Sequence, residues 1–101
     1  MEFGDVLPLD AARLRKLSVN GGRLIDLIDT DHAFLMELAA VGSITFRQRE
    51  HLVNLVQYHE RNEKLLEFLT RRSVGDFENF IKVLSKHQQA HLACLLAAGG
   101  G

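Results

Sequence analysis

The stretch Arg71–Leu84 reads RRSVGDFENFIKVL. Phe77, Phe80, Ile81 and Leu84 stand at i, i+3, i+4 and i+7, which is one clean apolar face of a helix. Ser73 is a helix-capping residue type, and Asp76 suits the positive end of the helix dipole. The stretch is therefore the opening of an amphipathic helix with its core side fixed. Arg71 and Arg72 are left at an exposed corner, with no structural need for both. The run SVGD has too few glycines and no lysine to cradle a phosphate. RRS is a partial basophilic kinase motif, so phosphorylation of Ser73 stands beside capping as a reading.

Working outward, the same periodicity recurs in short bursts. PLDAARLRKL carries Leu14 and Leu17, with Pro8 and Asp10 suited to a helix start. Asn20, Gly21 and Gly22 interrupt it, because paired glycines cost about 2 kcal/mol relative to alanine inside a helix. Leu24, Leu27 and Ile28 then resume the face, so a kinked or broken first helix is expected. Asp31 caps a second helix with Phe34, Leu35 and Leu38 inward, and Gly42 ends it. Thr45 with Gln48 forms a capping box ahead of Leu52, Leu55 and Val56. A fourth helix buries Leu65, Leu66 and Leu69, with Glu60 and Lys64 as an i, i+4 pair. The last carries Leu92, Leu95 and Leu96. Six short helices and no strand predict an all-α, compact antiparallel bundle over residues 9–97. Residues 1–8 read as an N-terminal extension and 98–101 as a glycine tail or linker.

Bulk numbers agree with one modest domain. The chain has 101 residues, 47% hydrophobic and 25% charged, with a single proline and no tryptophan. A net charge of −1 gives no global basic field for nucleic acid or membrane. One cysteine, Cys94, precludes an internal disulfide and fits a reducing, cytoplasmic home. No apolar run is long enough to span a bilayer, and MEFGDVLP lacks the basic and apolar blocks of a signal peptide.

These residues resemble a known family. The interrupted first helix, LMELAAVGSIT with Gly42, Ile44 and Thr45, and the run NEKLLEFLTRRSVGDFENFIKVLSKHQQAHLACLL are similar to a caspase recruitment domain (CARD) of the death-fold superfamily. The match extends over about residues 9 to 97 and is nearest to initiator-caspase prodomains and their adaptors. It rests on Leu65, Leu66, Leu69, Arg71, Arg72, Phe77 and Phe80, then Gln89, His91, Leu92, Leu95 and Leu96. Where many members read Arg-Gly-Pro, this chain reads Arg72, Ser73, Val74. The resemblance implies a six-helix Greek-key death fold that does no chemistry and takes no cofactor. It implies homotypic binding to another CARD, its own or that of a caspase or adaptor, in apoptosis or innate immunity. In the family, a basic surface on the first and fourth helices docks an acidic one on the second and third, building oligomers or filaments.

Charges here are segregated in a way that fits this expectation. Arg13, Arg15, Lys16, Arg23, Arg61 and Lys64 are candidates for a basic surface, and Asp26, Asp29, Asp31 and Glu37 for an acidic one. Arg71, Arg72 and Asp76 are candidates for a second contact corner. Ordinary solvated faces are the alternative. The third helix contributes Arg47, Gln48 and Arg49 with only Glu50 acidic, which departs from the family pattern. Reversing Arg13 or Arg61 to Glu is expected to block assembly with the melting temperature nearly unchanged.

Other constellations carry less. His87 and His91 share zinc-ligand spacing and Cys94 lies seven beyond His87, but Gln88 stands where a metalloprotease needs Glu. Cys94 with His91 has no orienting third group for nucleophilic catalysis. VGSITFRQREHL is an alternative DNA-binding helix-turn-helix, with Arg47, Gln48 and Arg49 as base-reading types. Against it, Gln48 and His51 occupy positions where that motif buries apolar residues.

Overall fold

A computed structural model describes residues 7–97, and these form seven helices with no strand among them. The tail at 98–101 and the first six residues of the extension lie outside the described residues. The helices are α1 (Ala11–Val19), α2 (Gly21–Leu27), α3 (His32–Ala40), α4 (Phe46–Val53), α5 (Tyr58–Thr70), α6 (Val74–Lys86) and α7 (Ala90–Ala97). No helix among the described residues is long and apolar enough to cross a membrane.

Local chemistry accounts for most of the boundaries. Asp10 caps α1 by accepting from the Arg13 N–H, and Asp31 caps α3 by accepting from the Phe34 N–H. Thr45 and Gln48 close a reciprocal capping box on α4, and Ser73 and Asp76 close another on α6. Each such cap stabilises by about 1 kcal/mol. Gly42 ends α3 with φ +85, a left-handed conformation that favours glycine. There the Ser43 N–H donates back to the Leu38 carbonyl at 2.9 Å.

The break between α1 and α2 falls at Asn20, and the two glycines are not its seat. Gly21 and Gly22 form the first turn of α2, and a Cβ on either would meet open space. Asn20 turns its side-chain amide back onto the Lys16 carbonyl at 2.9 Å and toward the Leu95 carbonyl of α7 at 3.4 Å. This local bond competes with continuation of the helix.

The core is built by the expected faces. Leu24, Phe34, Leu38, Leu65, Leu69, Phe77, Phe80, Leu84 and Leu92 are fully or almost fully buried, and Phe34 meets Phe80 edge-on at 6.3 Å. Three expected core residues face outward: Leu14 is 39% exposed, Leu27 52% and Val56 91%. For Val56 the reason is plain, because α4 stops at Val53 and the helical period no longer holds three residues later. α2 packs on α5, α3 on α4 and α6, and α6 on α7. The radius of gyration of 12.5 Å is what about 100 close-packed residues give. Leu7 and Pro8, counted with the extension on sequence, are tied to the start of α6. The Val74 N–H donates to the Leu7 carbonyl at 2.8 Å, and Pro8 bridges Ser73.

Candidate protein-interaction surfaces

The six cations proposed as a basic surface divide into two groups. Arg13 clips the start of α1 to α6, with Nη1 2.7 Å from Asp10 Oδ2 and Nη2 3.2 Å from Glu78 Oε1. Arg61 turns inward: its Nε donates to Thr30 Oγ1 at 2.8 Å and its Nη1 to the Leu55 carbonyl at 2.9 Å. Lys64 lies over the Phe68 ring at 5.6 Å and pairs with Glu67 at 3.3 Å, reaching forward rather than back to Glu60. Lys16 is half-buried and already makes an interaction within the chain. Arg15 and Arg23 remain, exposed and without an ion pair among the described residues.

Arg61 belongs to a buried polar network. Thr30 passes its hydroxyl hydrogen to Asn62 Oδ1 at 2.8 Å, and Asn62 Nδ2 donates to the carbonyls of Ile25 and Ile28 at 2.8 and 2.9 Å. Asn62 is fully buried, so each of these bonds satisfies a group that water cannot reach. The end of α2 leaves carbonyls unpaired, and α5 supplies the donors. Reversal of Arg13 or Arg61 therefore removes internal bonds, so a change in melting temperature is expected beside any effect on assembly.

The acidic candidates are also partly committed. Asp31 is a helix cap, and Asp26 pairs with His59 at 3.1 Å. Glu37 holds Lys86 at 2.7 Å and His87 at 3.2 Å, and hydrogen bonding from Lys86, then His87, draws its carboxyl below the ordinary glutamate value. The Arg13 backbone N–H, with help from its guanidinium, does the same for Asp10. Asp29 is exposed. Its backbone is gripped by buried Gln89, which accepts from the Asp29 N–H at 2.9 Å and donates to the Asp29 carbonyl at 3.1 Å.

At the corner before α6 the two arginines differ. Arg71 is 80% exposed on its side chain and only reaches 4.0 Å from Glu67. Arg72 donates to Asp76 at 3.0 Å and to the Gly42 carbonyl at 2.9 Å, which locks the α3–α4 turn to α6. Ser43 adds a bond to the Asp76 carbonyl at 2.9 Å. Of the two arginines at this corner, Arg72 thus has the structural part and Arg71 stays exposed. Ser73 Oγ accepts from the Asp76 N–H at 3.2 Å.

The remaining sequence candidates separate. His87 binds Glu37 and packs edge-on against Phe34 at 5.6 Å, whereas His91 and Cys94 are exposed. No group of three or more His, Cys, Asp or Glu able to hold a metal occurs among the described residues. Of Arg47, Gln48 and Arg49, Gln48 is committed to the capping box and Arg49 Nε is buried without a partner, leaving Arg47 exposed. Sequence reasoning missed the outward charge of α5. Glu60, Glu63 and Glu67 are all exposed, at i, i+3 and i+7. That spacing was readable and marks one helix face.

Compared with known proteins, the chain matches no family model, no curated protein and no solved structure.

Proposed function

We propose that this chain is a homotypic protein–protein interaction module of the CARD type, recruiting or oligomerising signalling proteins such as a caspase or its adaptor in apoptosis or innate immunity. In this reading α1 and α2 count as one broken helix of a six-helix Greek-key death fold, and the module works in the cytoplasm without chemistry or a cofactor of its own. One observation supports it most. Arg15 and Arg23 stand exposed and unpaired on α1 and α2, in a chain of net charge −1 whose α5 turns Glu60, Glu63 and Glu67 to solvent. Separated opposite charges favour head-to-tail docking steered by electrostatics.

Sedimentation of the chain over a range of concentration and salt tests the reading. Self-association that weakens with salt, and that is lost in the Arg15→Glu, Arg23→Glu double variant at an unchanged melting temperature, is expected. A wild-type chain that stays monomeric, or micromolar binding to duplex DNA with a steep salt slope, would overturn it.

A further inference from the structure

α4 and α5 leave an open groove of about 370 Å³ between them, lined by His51, Leu55, Glu60, Glu63, Lys64 and Glu67. A second depression of about 430 Å³ shares His51 and Lys64 with it and adds Phe68, with Thr45, Arg47 and Gln48 on its far side. The Phe68 ring meets His51 edge-on at 6.0 Å, and Lys64 over that ring is held by Glu67. The groove therefore has an apolar element in half-buried Leu55, an acidic rim of Glu60, Glu63 and Glu67 beside Lys64, and a far side where Phe68 and the cation Arg47 stand. Glu60 and Glu63 are exposed and have no ion pair among the described residues.

The complementary shape and charge occur elsewhere on the same molecule. Arg15, Val19 and Arg23 follow one another at steps of four along α1 and α2, and all three are exposed. Val19 is 74% exposed, one turn beyond Arg15 on α1, and Arg23 follows across the break in the first turn of α2. An exposed apolar residue, the knob of an elbow that carries two unpaired arginines, suits a groove with Leu55 in it and unpaired Glu60 and Glu63 on its rim, because the arginines find acids as the apolar groups are buried.

We infer that the α1–α2 elbow of one copy, led by Val19 with Arg15 and Arg23, docks into the acidic α4–α5 groove of a second copy. This rests on the homotypic reading and names the surfaces that carry it. Knob and groove lie on different helices of the chain, so the contact is heterologous. Each docked copy still offers a free groove at one end and a free knob at the other, and assembly propagates.

Complementation between two defective chains tests the inference. One carries Arg15→Glu with Arg23→Glu and keeps its groove; the other carries Glu60→Gln with Glu63→Lys and keeps its knob. Circular dichroism melts check that both fold. Sedimentation of each alone is expected to show self-association weakened on the order of tenfold or more, about 1.4 kcal/mol or more. An equimolar mixture is expected to form a 1:1 pair that grows no further. If the wild-type chain associates but the groove variant associates equally well, or the mixture forms no pair, the docking assignment falls and the homotypic reading survives. If the wild-type chain does not associate, both fall. A Val19→Ser variant keeps every charge, and a wild-type association constant in that variant would also overturn the knob.

Discussion

α1–α2 and α5 pack against one another, yet they turn their cations in opposite directions. On α1 and α2, Arg15 and Arg23 point to solvent; on α5, Arg61 is drawn in and the glutamates face out. The difference comes from the neighbours. The ends of α2 and α4 bring the Thr30 hydroxyl and the Leu55 carbonyl within reach of Arg61, and a planar guanidinium serves two acceptors at once. Arg15 and Arg23 have no comparable acceptor among the bonds of the described residues. A cation's role follows from the unpaired oxygens near it, and this decides which charges are left facing solvent.

The largest expected way to break the contrast is Asn62→Ala. It strands the carbonyls of Ile25 and Ile28 and the Thr30 hydroxyl in a buried site. Loss of about 3 kcal/mol is expected in a urea unfolding experiment, with α2 and α5 losing amide protection together. Next comes Arg61→Lys. It keeps the charge but offers one ammonium where two separated acceptors wait, so a loss of about 1–2 kcal/mol is expected by the same measurement. A stability equal to wild type would return Arg61 to the free surface.

The adjacent arginines before α6 sharpen the comparison on a smaller scale. Arg72→Ala removes its bonds to Asp76 and to the Gly42 carbonyl and is expected to cost about 1 kcal/mol or slightly more. Arg71→Ala is expected to stay within about 0.5 kcal/mol, because its nearest carboxylate is 4.0 Å away at the surface. Paired thermal melts separate the two. The smallest effect is a pH dependence at Glu37. Its carboxyl is lowered in the folded chain by Lys86 and His87, so its contribution is present above the ordinary glutamate value. That contribution is lost as the pH falls through the lowered value. Glu37→Gln is expected to flatten this part of the acid limb in a melt series and to leave the neutral-pH slope alone.

The helices themselves were legible where short-range rules decide them. Asp10, Asp31, Thr45 and Ser73 were readable as caps, because a capping bond involves residues three apart. Gly42 was readable as a terminator for the same reason. What sequence could not reveal were polar partners brought together by folding. Arg61 and Thr30 are 31 apart, Asn62 and Ile25 are 37 apart, and Arg72 and Gly42 are 30 apart. Arg13 and Arg61 thus looked like surface charges. Asn20 was masked by the glycines beside it, since its grip on Lys16 and Leu95 depends on α7 lying nearby. Several candidates of the surface thus carry internal bonds that the sequence did not show, while Arg15, Arg23, Asp26, Asp29, Asp31 and Arg71 are exposed.

The buried Asn62 side chain also acts as a gauge of alignment. Leucines at 65, 66 and 69 give α5 a greasy face that repeats every three or four residues, and such a face tolerates sliding along its neighbours by a turn. The two carbonyls that Asn62 reads belong to Ile25 and Ile28, and both bonds are met in one setting of the helix only. A displacement by one turn would leave an amide and two carbonyls unsatisfied in the core. The apolar residues thus provide the adhesion and the amide selects the stop, which gives the exposed glutamates of α5 a fixed position on the surface.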